Sequence, residues 1–394
     1  RNQELAHASD APLRRTEQRT RWSIVVHHDV PRGRGTARIE LGTRQGDAKD
    51  VVDQAIELAT AAIGAPWSTP PAAAPAKVLV GDDTLAKTDL AAVAAALVTG
   101  AKHPPGASVQ LAADVLRERV SVQAGSGFHT AWTATRLEAR ALVAAGGHSL
   151  DVVREARRLG DLEAELGGAL AGAAGDLAML GKAGAATPGR CAIILRADAL
   201  LHGGGLGVWH VFADHASAET ERQGLTRYRR GAVVAPNADT VAEPLTITSE
   251  GALDFGTLSA PIGDEGDAVR RFPVVERGVA VGLGLSVREA ARRKTDPNGG
   301  VRNLVVSRGT WNETRPEGRV IEVRRLRSLS IDPFTADASL EIGLGLDGDK
   351  PFTGGTLRLD LIAALAHARR SATTLRRGPY LGPSALLLEG VELT

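Results

Sequence analysis

The sequence predicts an α+β fold in two domains: an N-terminal α/β domain over 1–185 and a C-terminal, mostly antiparallel β domain over 186–394. Three observations predict it. Helical and strand-like periods mix through the first half. From Gly231 short strands alternate with turns almost to the C-terminus. Between the two, AGAATPG (183–189) is a run of small residues, glycine and proline that reads as a boundary.

Composition sets the outer limits. Of 394 residues 43% are hydrophobic, which builds a core and excludes disorder as the main state, although only 6 Phe, 5 Trp and 2 Tyr contribute aromatic bulk. With 47 basic and 46 acidic side chains the net charge is +1, so no global field draws the chain to nucleic acid or membrane. Cys191 is the single cysteine, which excludes a disulfide framework and a cysteine-rich zinc finger. No apolar run approaches the ~20 residues needed to span a bilayer. A cytoplasmic location is the expectation, and because the chain starts at Arg1 a removed leader stays compatible with it.

Taken in order, the elements begin β-β-α. WSIVVHH (22–28) and TARIEL (36–41) are rich in β-branched residues and flank the turn-like PRGRG. A helix follows over 48–63, with Val51, Val52, Ala55, Ile56, Leu58 and Ala59 making one apolar stripe and Gly64 ending it. A Pro-rich loop (65–76), a short strand (77–80) and an Ala-rich helix (89–98) come next. LRERVSV (116–122) and TAWTATRLEARALV (130–143) alternate as strands. The stretch 150–180 reads as helical, and its five glycines, each costing about 1 kcal/mol against Ala, predict more than one helix. CAIIL (191–195) is a buried-strand pattern leading into a helix-like stretch, and a helix over 357–369 interrupts the later strands.

Candidate chemistry concentrates at 201–221, LHGGGLGVWHVFADHASAETE. His210 and His215 stand five apart, which on a regular helix places them roughly 140° apart, poorer for one metal than an i, i+4 pair. The bland alternative is two partly buried histidines flanking an amphipathic helix through Trp209, Phe212 and Ala213. The glycine run from Gly203 to Gly207 fits neither GxGxxG nor a P-loop, and a tight turn or close backbone packing at the helix entrance is the better use.

VWHVFADHASAE resembles the helix of the TldD/PmbA (TldD–TldE) family of zinc metallopeptidases, whose motif is written HExxxH. His210 matches its first histidine and His215 its second, while Val211 occupies the place of the glutamate. Downstream, Gly263-Asp264-Glu265-Gly266 resembles the family's acidic-glycine turn and Arg302-Asn303-Leu304-Val305-Val306 its "tNLvl" strand. The run from Gly382 to Val391 (GPSALLLEGV) resembles its terminal "gsPsLlveGl". The C-terminal half is covered nearly throughout; the N-terminal half matches in its β-β-α opening and general layout.

In the family's active subunit that glutamate is the general base beside a zinc-bound water, and a C-terminal cysteine is the third ligand. Val211 accepts no proton, and ATTLRRGPYLGPS (372–384) holds no cysteine; Cys191 lies at a position that does not match. The resemblance therefore implies the non-catalytic TldE/PmbA-like branch, with no metal and no cofactor in this chain. A TldD-like partner would carry the zinc, and the heterodimer would enclose a cleft for unfolded or small peptides. A second reading is a divergent peptidase using His210 and His215 with Glu219 or Glu221 as replacement ligand and Asp214 or water as base. A third is a self-associating binding or scaffold protein. For the retained histidine pair, chance, a structural hydrogen bond and a residual metal are all open.

Other groups have plainer uses. The basic clusters at 227–230, 292–294, 324–327 and 376–377 lack interleaved aromatics for stacking bases, so solvated faces or interface arginines are expected instead of a nucleic-acid surface. His27 and His28 fall on opposite faces of a strand and cannot share an ion. Asp264 with Glu265, Asp296-Pro297 and Asp332-Pro333 read as turn chemistry.

Overall fold

The computed structural model describes residues 1–9, 14–42, 48–69 and 72–394; Pro70 and Pro71 of the expected Pro-rich loop lie outside them. Long alternating strands build the first half: β1 (Asn2–Ser9), β2 (Arg14–Val30), β3 (Gly33–Gly42), β4 (Ile63–Gly64), β5 (Ser108–Gln123), β6 (His129–Ala145) and β7 (His148–Ala156). They form one sheet in the order β4-β3-β2-β1-β5-β6-β7, with every pairing antiparallel. One face is apolar, burying Ala6, Leu111, Val115, Leu137 and Val143 against α2 (Leu90–Gly100) and α3 (Leu159–Leu180). The third helix, α1 (Ala48–Ala61), packs on β2 and β3. The opposite face carries charge pairs such as His7 Nδ1 with Asp114 Oδ1 at 2.7 Å.

The fold is α+β, as the periodicity predicts, but several elements differ. The N-terminal half is an antiparallel sheet covered by helices on one face, not an alternately wound α/β unit. Residues 148–156 are a strand where a helix was expected, because Val152, Arg154 and Ala156 are buried with period two along the edge of β6. The helix that follows is a single 22-residue element despite its glycines, since Leu162, Leu166, Ala169, Leu170, Ala173 and Leu177 keep an unbroken buried stripe. Residues 77–80 join no ladder as a strand, although Val80 O accepts from Thr135 N at 3.1 Å. The expected helix over 357–369 divides into a strand and a seven-residue helix, split at Asp360, whose carboxylate caps the helix through Ala363 N.

In the second half, β8 (Gly184–Ala185), β9 (Gly189–Arg196), β14 (Val320–Ile331), β15 (Asp337–Asp347), β16 (Lys350–Thr353), β17 (Thr356–Asp360), β18 (Arg369–Arg370) and β21 (Ala385–Leu393) form one sheet. Since β14 pairs with both β9 and β15, the path β14-β9-β21-β17-β15 closes on itself. A smaller sheet runs β12 (Val279–Ala280), β11 (Phe272–Glu276), β10 (Ile247–Glu250), β13 (Asn303–Val306), β20 (Tyr380–Pro383), β19 (Thr374–Arg377). Five short helices, α4 (Ala197–Leu200), α5 (His210–His215), α6 (Ala218–Arg222), α7 (Val287–Arg292) and α8 (Leu361–His367), lie among them. Their apolar side chains share one core that holds Trp209, Val211, Phe212, Ile321 and Leu365.

Side chains tie the two halves together. The buried Arg157 guanidinium donates to the carbonyls of Val80, Gly256 and Thr257 at 2.8 Å each and of Ser259 at 2.9 Å. Burial lowers its pKa to about 10, with no carboxylate within ion-pair distance among the described residues. Among the described residues no helix is long and apolar enough to cross a membrane.

Candidate functional site

The histidine segment starts from a glycine turn that only glycine can close. At Gly207 φ is +52°, and a Cβ there would stand 2.1 Å from the Leu200 carbonyl oxygen. The turn brings 207–209 directly against the end of α4, which is the close-packing use expected of the glycine run. Trp209 then enters the core, stacked against Phe212 and Tyr380 with ring centroids 6.3 and 6.1 Å away.

The two histidines occupy opposite ends of the six-residue α5 and differ in every respect. The His210 side chain is 59% exposed, and its Nε2 lies 3.2 Å from Asp214 Oδ1. That hydrogen bond raises its pKa against the opposing effect of burial. His215 is fully buried. Its Nδ1 lies 2.9 Å from Thr226 Oγ1, whose hydroxyl donates onward to the His215 carbonyl at 3.0 Å. The Arg227 backbone N–H donates to the same Nδ1 at 3.4 Å, and Nε2 is buried with no hydrogen bond among the described residues. Burial holds the His215 pKa down, with the nearby Arg227 charge adding to the effect.

Val211 points into the core with no exposure at all. The remaining candidates are committed elsewhere. Glu219 lies 3.5 Å from Arg222 and accepts from Gln223, while Glu221 accepts from Arg293 of the segment after α7 at 2.8 Å. Cys191 sits in β9, its thiol directed at the Val391 carbonyl. The 263–267 segment is a turn, closed by Gly263 N to Asp267 O at 2.8 Å and Gly266 N to Gly263 O at 3.1 Å. Asp332 Oδ1 likewise caps Phe334 and Thr335 at 2.8 Å each. The basic clusters are largely paired: Arg227 with Asp360, Arg293 with Glu221, Arg324 and Arg325 with Asp176.

These donors do not fit a zinc ion. One histidine is held by an aspartate at the surface, the other is sealed in the core, and among the described residues no three His, Cys, Asp or Glu side chains are placed to hold a metal. Catalytic zinc takes three protein ligands with an open position. Residues that sequence reasoning missed are Thr226, which fixes His215, and Arg293, which takes Glu221; neither lies within the histidine segment, and only tertiary contact brings them there.

A closed mixed sheet shares its core with a short histidine-bearing helix, and this β-rich half is joined to an antiparallel N-terminal sheet. The chain belongs to the PmbA/TldD family: residues 189–393 match the PmbA/TldA metallopeptidase C-terminal domain. Three solved structures share the fold across the whole chain. A protein named as a candidate modulator of DNA gyrase from Bacteroides thetaiotaomicron is 13% identical, with TM-score 0.72, covering 100% of this chain and 92% of that one. A second candidate gyrase modulator, from Thermotoga maritima, is 16% identical with TM-score 0.71, covering 100% and 94%. TldE from Thermococcus kodakarensis is 16% identical with TM-score 0.71, covering 100% and 95%. No curated protein matches the sequence.

Proposed function

We propose that this chain is a non-catalytic, TldE/PmbA-like subunit of a two-component zinc metallopeptidase. It pairs with a TldD-like chain that holds the zinc, and residues 186–394 act as its peptidase-like unit, with 1–185 as a separate N-terminal domain. The observation that carries the reading is Val211: where the family places its glutamate base, this chain has an apolar side chain fully buried in the core. The sealed His215 and the Asp214-bound His210 support it. In the partner, zinc would supply the polarised water; this chain would supply shape and binding surface for unfolded or small peptides. The divergent-peptidase reading needs Glu219 or Glu221 as third ligand, and both are engaged with arginines. A cytoplasmic setting is part of the proposal.

The test is zinc content by elemental mass spectrometry after zinc repletion, together with peptidase assays with and without a TldD-like subunit. The expected result is below about a tenth of an equivalent of zinc, with chelator-sensitive cleavage only in the mixture. Close to one equivalent, lost in His210→Ala and accompanied by cleavage from this chain alone, would overturn the proposal in favour of the divergent peptidase. Self-association without any effect on a TldD-like chain would favour the scaffold reading.

A further inference from the structure

Beside α5 and α6 lies a cavity of about 350 Å³, walled by Arg38 of β3, the 264–267 turn, and the 284–289 and 299–302 segments. Its charges are not balanced from within. Glu265 is 30% exposed at its side chain, and its carboxylate accepts no hydrogen bond among the described residues; the nearest ionic group is His27 Nε2 at 3.9 Å. Asp267 is only 8% exposed and is held by backbone N–H groups of its own turn, with no cation within ion-pair distance among the described residues. Burial pushes both carboxyls up, and their mutual repulsion adds to the effect on Glu265.

Of the two guanidiniums on the cavity wall, only Arg38 is ion-paired among the described residues. Arg38 lies 3.2 Å from Glu40 and 3.8 Å from Asp264, and Asp264 is also paired with Arg1 at 2.6 Å. Arg302 donates to the neutral carbonyls of Gly299 and Leu258 at 3.0 and 3.3 Å, so its one charge offsets part of that of Asp267 and leaves the pair of carboxylates with an excess of negative charge. A cation brought in by a ligand would relieve the remaining negative potential, which is strengthened by the low-dielectric walls.

The size and spread of the acceptors decide which cation. No three carboxylates among the described residues converge closely enough to chelate a metal ion. A volume near 350 Å³ falls in the range of about 300–1,000 Å³ that holds small organic ligands. An ammonium group offers three donors on a compact charge, matching two carboxylates set apart on one wall.

We infer that this cavity binds the alkylammonium group of a peptide, with Glu265 and Asp267 supplying the acceptors. The inference rests on the reading of the chain as a peptide-handling subunit, and it names a substrate feature that this reading leaves open. The ammonium could be a free N-terminus or a lysine side chain, and the test separates the two.

The experiment is calorimetric titration of the purified full chain with three peptides: Ala-Ala-Ala-amide with a free N-terminus, its N-acetylated form, and acetyl-Ala-Lys-Ala-amide. At least one amine-bearing peptide is expected to bind tenfold or more tighter than the fully blocked one, and which of them does so identifies the source of the amine. Glu265→Gln should abolish the preference without lowering the melting temperature, because it removes a repulsive charge. Arg38→Gln should strengthen it by removing a competing cation. Equal binding of all three peptides, no binding of any, or a preference unchanged in Glu265→Gln would overturn the inference. The subunit proposal is read separately: activation of a TldD-like partner without amine preference sinks only the inference, and amine preference without activation sinks only the subunit role.

Discussion

At the scale of single residues, Val211 and His215 show how spacing and environment part company. The five-residue histidine spacing is visible in the sequence, and so is the valine beside the first histidine. What the spacing does not contain is that Val211 and His215 both point into the core while His210 stays at the surface. That follows from Trp209 and Phe212 anchoring α5, and from Thr226, eleven residues on, capping the second ring. A glutamate at position 211 would therefore arrive in an apolar pocket with no partner. Val211→Glu is expected to cost about 3 kcal/mol or more by urea denaturation. Combined with a cysteine introduced in 376–383, it should yield neither zinc binding nor cleavage. A variant as stable as the parent that takes up zinc would show that α5 can turn its valine face outward.

At the scale of elements, legibility follows how strongly one period excludes the other. Residues 48–61 read as a helix because their stripe repeats every three to four residues and cannot be a strand. LDVVREA fits both templates, and only pairing with β6 decides for the strand. β1 went unread because NQELAHAS lacks β-branched residues; it is a strand because β2 and β5 flank it on both sides. The glycine turn before α5 was legible as backbone packing, and it makes a quantitative comparison possible. Gly204 and Gly207 both have positive φ, +80° and +52°, but a Cβ at Gly204 meets nothing, while one at Gly207 meets the Leu200 carbonyl at 2.1 Å. Gly204→Ala should therefore cost only the conformational strain, about 1 kcal/mol. Gly207→Ala should cost about 3 kcal/mol, because backbone atoms of α4 must also move. Equal denaturation midpoints for the two variants would contradict this account of how the histidine helix is positioned.

At the scale of the whole molecule, the two cores meet through a cluster of alternating charges centred on Asp198. Its Oδ1 accepts from Arg154 of β7 at 2.8 Å and from Arg377 of β19 at 2.7 Å, and Oδ2 lies 2.9 Å from Arg325 of β14. Asp176 of α3 takes Arg324 and Arg325 at 2.7 Å each, carrying the network back into the N-terminal half. Burial alone would raise the Asp198 pKa, but the guanidiniums of Arg325, Arg154 and Arg377 outweigh it and hold the carboxyl below its ordinary 3.8. A depressed folded-state pKa means that the unfolded chain binds the proton first as pH falls. The contribution of Asp198 is therefore complete well above its unfolded value and is lost as pH falls toward the folded one. Asp198→Asn leaves three guanidiniums facing a neutral amide and is expected to cost about 3 kcal/mol at neutral pH. Protonated Asp198 resembles that amide, so the gap between parent and variant should begin to close below about pH 5 and shrink steadily through pH 3.5. Glu265 and Asp267 have raised values and act in the opposite sense, but they share no ion-pair partner with Asp198, are common to both proteins and cancel in the difference. Urea unfolding of the pair across pH 3.5–7 measures that gap. A gap constant over the whole range would mean that packing around Asp198, not its charge, joins the two cores.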